Sequence, residues 1–213
     1  MLSADGDVVC VHDPLLRIAT DLDGWAHRTP TDTILGGRLL NSLGEPSDQH
    51  PLSLAQVLDL IPRELPLQLD VKAYADPQLA YRTAQRCCEV VAGHGSADRA
   101  EVISFFTEAC VAAVRGGVAA RLVIWADYTP HELASWAREH GIEGVSVEGF
   151  ILSERLHQPL KEAGLTISAG AVNSTEQLGL VLPFRPEVLV SDCPLELRGA
   201  LDARLQTQAD EPD

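Results

Sequence analysis

The chain has 213 residues, of which 46% are hydrophobic and 22% are charged, a composition typical of a folded domain rather than a disordered segment. With 16 Lys and Arg against 31 Asp and Glu, the formal net charge is −15, which argues against nucleic acid or an anionic membrane surface as the main partner. No apolar stretch reaches the roughly 18 residues of a membrane helix, and no signal peptide or Cys-x-x-Cys spacing is present, so we expect a cytoplasmic protein.

A short apolar run opens the chain at residues 8–11 and is followed directly by His12, Asp13 and Pro14. This run predicts a buried strand. His12, at the strand end and beside a carboxylate, is a candidate acid/base group. The alternative is a simple strand end at which the aspartate bonds the local backbone. Residues 15–51, rich in Asp, Thr, Gly and Pro, are expected to form an irregular insertion.

Ser53 is the predicted cap of a helix. From this residue onward, short apolar strands alternate with amphipathic helices. The predicted strands are 67–71, 102–106, 121–125, 144–147, 165–169 and 188–192. The predicted helices between and after them include 77–92, 130–140, 154–163, 175–182 and 195–205. Counting the N-terminal strand, about seven parallel strands are expected, close to the eight of a (β/α) barrel, although a doubly wound open sheet shares this pattern. We expect one domain at 1–205 and a disordered acidic tail at 206–213.

Candidate site residues lie at the predicted strand ends, where parallel barrels place their reactive groups. Asp70 and Lys72 share one face of their strand, so the carboxylate can hold a cation while the ammonium contacts an anion. Trp125 is a candidate substrate-binding platform, with a place in the core as the alternative. A hard divalent cation with a lysine and a histidine suits hydrolysis of a phosphate ester. The alternative for Asp70 and Lys72 is a solvated ion pair.

The same residues resemble the glycerophosphodiester phosphodiesterase family. The matching segments are 4–17 with 20–24, which resembles the family stretch D-G-x-x-V-V-x-H-D-x-x-L-x-R-x-T-x-G, and then 51–58, 67–72, 102–106, 171–173 and 190–194. The resemblance implies a TIM-like (β/α) barrel that hydrolyses glycerophosphodiesters to an alcohol and glycerol 3-phosphate with a divalent cation, Mg²⁺ or Ca²⁺. By position, His12 corresponds to one of two acid/base histidines, Asp70 to a metal carboxylate and Lys72 to the phosphate-contacting lysine.

The resemblance has gaps. The family's His-Arg-Gly strand, its first helix and most of its Glu-x-Asp strand have no counterpart, so we expect an N-terminally truncated member with an incomplete barrel. Asp70 replaces a glutamate, and Gly170 replaces a tryptophan. A homo-oligomer is the expected cover for the open barrel edge. Three functions stay open: a metal-dependent phosphodiesterase, a non-catalytic barrel-like protein that binds a phosphorylated ligand, and another barrel enzyme acting on sugar phosphates.

Overall fold

The computed structural model describes residues 1–126 and 128–210. The chain divides into two compact units, Met1–Leu122 and Val123–Asp213. No helix in the described residues is both long enough and apolar enough to cross a membrane. The elements of the first unit are, in chain order, β1 (Val9–Cys10), α1 (Thr31–Gly36), β2 (Leu52–Ser53), α2 (Leu54–Leu60), β3 (Leu67–Asp70), α3 (Pro77–Gly93), β4 (Ala100–Ser104), α4 (Thr107–Arg115) and β5 (Ala119–Ile124), whose last two residues belong to the second unit.

The N-terminal strand differs from its prediction. Only two residues of the apolar run form a strand, and β1 pairs antiparallel with β2, with Val9 opposite Ser53 and Cys10 opposite Leu52. The run therefore adds no strand to the parallel sheet. Its apolar character is nevertheless explained by burial, because Val9 is fully buried.

The segment 15–51 contains more structure than its composition predicts. Two 3₁₀ turns and the six-residue helix α1 lie within it. Its buried Leu16, Ala26 and Ile34 pack with Met1 and Val9 in one apolar cluster. Burial of these apolar side chains fixes the segment against β1 and so supports the backbone from which His12 projects.

The first unit also holds the start of the predicted β/α alternation. Ser53 and Gln56 form a capping box at the start of α2, as the cap at Ser53 predicts. The strands β3, β4 and β5 pair in parallel, with Asp70 opposite Ile103 and Ser104 opposite Leu122. This parallel pairing places the ends of β3 and β4, and the polar residues that follow them, at one edge.

The second unit continues the alternation. Its elements are α5 (Pro130–His140), β6 (Gly144–Glu148), α6 (Glu154–Glu162), β7 (Thr166–Gly170), α7 (Thr175–Val181), β8 (Val188–Leu189) and α8 (Pro194–Asp210). Strands β6, β7 and β8 pair in parallel, with Gly144 opposite Thr166 and Ser168 opposite Val188. Helix α8 continues through Asp210, whereas the sequence predicted a disordered tail from residue 206; residues 211–213 lie outside the described part of the chain.

Candidate functional site

His12 lies just beyond β1 and makes two side-chain contacts. Its Nδ1 is 3.1 Å from Asp13 Oδ2, and its Nε2 is 2.8 Å from Lys72 Nζ. Because an ammonium group can only donate, we assign Nε2 as the acceptor from Lys72. Nδ1 therefore carries the ring proton and donates a hydrogen bond to Asp13 Oδ2. The imidazole is held in one neutral tautomer, and its side chain is 73% exposed to solvent.

Lys72 joins this histidine to the end of β3. Its Nζ lies 3.3 Å from Asp70 Oδ2, and the two side chains are on the same face, as their spacing predicts. Lys72 is 23% exposed and Asp70 is 40% exposed. Asp13, His12, Lys72 and Asp70 thus form one continuous polar chain in the first unit. The structure brings together three of the four residues that the sequence predicts for the site.

Ser104 positions this end of the sheet. Its buried Oγ donates a hydrogen bond to the carbonyl of Val71 at 2.6 Å and accepts one from the backbone N–H of Phe106 at 3.2 Å. Val71 lies between Asp70 and Lys72, so the hydroxyl holds the backbone that carries both charged groups. Ser104 lies within the predicted strand 102–106, but the sequence assigns it no role, because only the pairing of β3 with β4 reveals its partner.

A cavity of about 340 Å³ borders the polar chain. His12 and Asp70 line it, while most of its remaining wall is apolar, with side chains from α2 such as Leu54 and Leu58. Cys87 also lines it, and burial raises the pKa of this thiol to about 12. A thiol with this pKa is protonated at neutral pH and serves neither as a nucleophile nor as a soft metal ligand.

The described residues do not fit the divalent cation that the sequence predicts. In residues 1–126 and 128–210, no three His, Cys, Asp or Glu side chains come together in a group that could hold a metal ion. Asp70 faces the ammonium of Lys72, whose positive charge opposes a second cation at the same carboxylate. In this structure Asp70 is therefore an ion-pair partner of Lys72, and we assign no step to a metal.

Trp125 lies in the second unit, directly after β5. It is 60% exposed, so the alternative of a core residue is wrong, while its substrate-binding role stays a prediction. A second polar cluster forms in this unit, where Asn173 donates to Asp192 Oδ2 at 2.7 Å and accepts from the Asp192 backbone N–H at 2.8 Å. A Cβ at Gly170 would lie 2.7 Å from Val190 Cβ, so a larger side chain at this position would require Val190 to shift.

No protein-family model and no curated protein matches the sequence. Among solved structures, an Oleispira antarctica phosphodiesterase in complex with the product sn-glycerol-3-phosphate has a TM-score of 0.83 at 22% identity, covering 95% of this chain and 82% of its own. A Parabacteroides distasonis glycerophosphodiester phosphodiesterase has a TM-score of 0.79 at 19% identity, covering 96% and 82%.

A third enzyme of the same description extends the match. The glycerophosphodiester phosphodiesterase from Thermotoga maritima has a TM-score of 0.68 at 16% identity, covering 90% of this chain and 78% of its own. Identities this low establish the fold and not the activity. The predicted fold class is confirmed as α/β, with six parallel strands consistent with an incomplete TIM-like barrel. The chain therefore has the fold of the glycerophosphodiester phosphodiesterases over nearly its whole length.

Proposed function

We propose that this chain binds glycerophosphodiesters and hydrolyses them to an alcohol and glycerol 3-phosphate. The observation that carries the proposal is the 2.8 Å contact between Lys72 Nζ and His12 Nε2, which puts an ammonium and a proton-transferring imidazole within reach of one phosphate group. Glycerol 3-phosphate bound to the Oleispira antarctica phosphodiesterase supports the choice of substrate class.

Lys72 and His12 have different roles in this proposal. The ammonium of Lys72 leaves His12 Nε2 for a phosphate oxygen, and such a charge-assisted hydrogen bond contributes about 1.5–3 kcal/mol. Water attacks phosphorus on the side opposite the alcohol oxygen, and His12 Nε2 takes a proton from the water as the bond to the alcohol oxygen breaks. The departing alkoxide takes a proton from solvent, and the imidazolium later returns its proton to solvent. Asp13 holds Nδ1 and stabilises this imidazolium.

A second candidate function is binding of a phosphorylated ligand without hydrolysis. It is favoured by the absence, within the described ranges, of any three side chains grouped to hold a metal ion. Both candidates use Lys72 to contact the phosphate. They differ in whether His12 transfers a proton.

The test is release of glycerol 3-phosphate from glycerophosphocholine, measured with Mg²⁺, with Ca²⁺ and with a chelator. His12→Ala should lower the rate by about 10²–10⁴-fold, the usual contribution of an acid/base group. His131→Ala, at an exposed position on α5, is the matched control and should leave the rate unchanged. No release, combined with binding of glycerol 3-phosphate that needs Lys72, would favour the second candidate. Activity that survives His12→Ala would contradict the role of His12.

We also propose a second copy of this chain as the partner at the free edge of β3. Strand β3 stands first in the strand order and pairs with β4 on one side only among the described residues. An edge strand presents unpaired backbone groups that favour pairing with another strand. Light scattering in solution tests this, and a monomer across the micromolar range would contradict it.

A further inference from the structure

Two aromatic side chains near the site are packed against each other without belonging to the core. The rings of Trp25 and Tyr74 have centroids 5.1 Å apart and an interplanar angle of 45°. Tyr74 is 67% exposed, and Trp25 is half-buried. Exposed aromatic surface of this kind is costly in water and is commonly used to contact a ligand.

Backbone hydrogen bonds tie Trp25 to the segment that follows His12. Leu15 and Trp25 form an antiparallel bridge, flanked by the bond from the Ala26 N–H to the Pro14 carbonyl at 2.9 Å. Pro14 comes two residues after His12. The indole is therefore fixed to the chain that carries the imidazole.

Tyr74 belongs to the segment that carries Lys72, the other half of the site. It follows Lys72 by two residues, which limits the distance between their Cα atoms to about 7 Å. The contact between the rings of Trp25 and Tyr74 thus links the two segments that carry His12 and Lys72. Both segments belong to the first unit.

A third ring extends this surface without adding a positive charge. His27 lies with its centroid 6.1 Å from that of Trp25. Burial lowers the pKa of His27, and the neighbouring Arg28 lowers it further. Its Nε2 accepts a hydrogen bond from Arg28 Nε at 3.3 Å, as a neutral imidazole does. His27 is therefore uncharged at pH 7 and does not repel a cation.

Charges of both signs lie beside the two rings. Asp23 precedes Trp25 by two residues and Asp76 follows Tyr74 by two residues, and both residues are exposed. Asp76 also accepts backbone N–H groups at the start of α3. Arg28 and Arg82 both lower the pKa of His27. Arg17 approaches Asp23 only to 3.9 Å, at a pair that water screens. The net charge of −15 favours the approach of a cation to the chain as a whole. Aromatic faces attract cations through their quadrupole, and this attraction requires no hydrogen-bond donor on the cation.

We propose that Trp25 and Tyr74 form the subsite for a quaternary ammonium group on the alcohol of the phosphodiester. The inference rests on the proposed function, because it names the alcohol of that same substrate. A trimethylammonium group has no N–H to donate, so an aromatic surface is its natural contact. A choline-type alcohol places this group a short two-carbon chain away from the phosphate that Lys72 contacts.

The test compares two diesters that differ only in the alcohol. Calorimetric binding of glycerophosphocholine and of uncharged-headed glycerophosphoglycerol is measured with the full chain and with Tyr74→Leu and Tyr74→Phe. Tyr74→Leu should weaken glycerophosphocholine binding by about twofold to thirtyfold, the range for an exposed to a desolvated cation–π contact, and should leave glycerophosphoglycerol unchanged. Tyr74→Phe retains a ring and should restore the affinity. Because Tyr74 is exposed, these variants are expected to fold.

Tyr81→Leu is the matched control. Tyr81 lies on α3 and lines a different cavity with Gln85 and Arg115, so its loss should not affect either diester. Phosphatidylcholine vesicles present the same ammonium group on a lipid, and retention on them that Tyr74→Leu abolishes would support the subsite with a lipid as its source.

Equal weakening of both diesters by Tyr74→Leu, or no weakening of either, would overturn the proposal. The fate of the proposed function is separable from this result. Selective binding of glycerophosphocholine without release of glycerol 3-phosphate would remove the hydrolase and leave the ammonium subsite. Release of glycerol 3-phosphate from both diesters with no dependence on Tyr74 would support the hydrolase and exclude the ammonium subsite.

Discussion

Lys72→Met is the substitution that most sharply tests the phosphate contact. Methionine has an unbranched apolar side chain about as long as the stem of lysine and lacks the ammonium group. In the structure this group lies 2.8 Å from His12 Nε2 and 3.3 Å from Asp70 Oδ2. A bound phosphate would replace His12 as its partner, so the substitution deletes one charge-assisted hydrogen bond to the ligand.

The expected magnitude follows from the burial of this lysine. With 23% of its side chain exposed, Lys72 is partly desolvated, so its hydrogen bond to a charged group falls in the range of about 1.5–3 kcal/mol. Since about 1.4 kcal/mol is a tenfold change in affinity, the Kd for glycerol 3-phosphate should rise about tenfold to a hundredfold. The effect on unfolding should be small, because the Lys72–Asp70 pair is solvated on one side.

The assay is isothermal titration with glycerol 3-phosphate, accompanied by urea unfolding to confirm the fold. Lys161→Met is the control, because it removes the same unit charge from an ion pair with Glu187 on the surface of the second unit. The Kd should be unchanged in this control. An unchanged Kd in Lys72→Met, or an equal rise in both variants, would contradict the role of Lys72 as the phosphate contact.

Three further predictions concern stability. Burial raises the pKa of the Cys87 thiol to about 12 in the folded state, whereas the pKa in the unfolded state is near 9. The contribution of this thiol to the free energy of unfolding is therefore fully present below pH 9. The free energy of unfolding should then fall between pH 9 and 12 by up to about 1.4 kcal/mol per unit for this thiol, and Cys87→Ala should flatten the slope in urea titrations at each pH. Ser104→Ala removes the hydrogen bond to the Val71 carbonyl and should cost about 1–3 kcal/mol in urea unfolding. Gly170→Ala places a Cβ 2.7 Å from Val190 Cβ and should cost about 1–3 kcal/mol, and adding Val190→Gly should recover part of it. Unchanged urea midpoints in either variant would contradict the packing described.

The regular part of the fold follows from local sequence signals. Helix α5 has its predicted bounds because Pro130 begins it and Gly141, with a φ of 69°, ends it. Ser53 and Gln56 mark the start of α2 in the same way. These signals act within a few residues, so they are legible without knowledge of the tertiary structure.

The N-terminal strand shows where local signals fail. Apolar character correctly indicated that Val9 is buried, but it did not reveal that the partner is Ser53 or that the pairing is antiparallel. Partner and direction depend on how the intervening segment folds. That segment also contains helix α1, which the sequence did not predict because six residues are too few to produce a clear helical period of apolar residues.

The site was predictable in its parts and not in its assembly. Alternation along β3 placed Asp70 and Lys72 on one face, as observed. The contact between Lys72 and His12 joins parts of the chain that are distant in sequence, so it could not be predicted from residue spacing along one strand. The cation role predicted for Asp70 rested on its carboxylate at a strand end and on the resemblance, and the ion pair with Lys72 shows why this position in the structure does not favour a cation. Tyr74 gave no signal, because its partner Trp25 lies in the segment predicted to be irregular.

A crystal structure of the chain with glycerol 3-phosphate is the most direct test of whether Lys72 contacts the phosphate and His12 faces it. We predict a phosphate oxygen within about 2.7–3.0 Å of Lys72 Nζ, the usual length of a charge-assisted hydrogen bond, and His12 Nε2 released from Lys72 to face the phosphate. Phosphate bound elsewhere on the chain, with the Lys72–His12 contact unbroken, would contradict it.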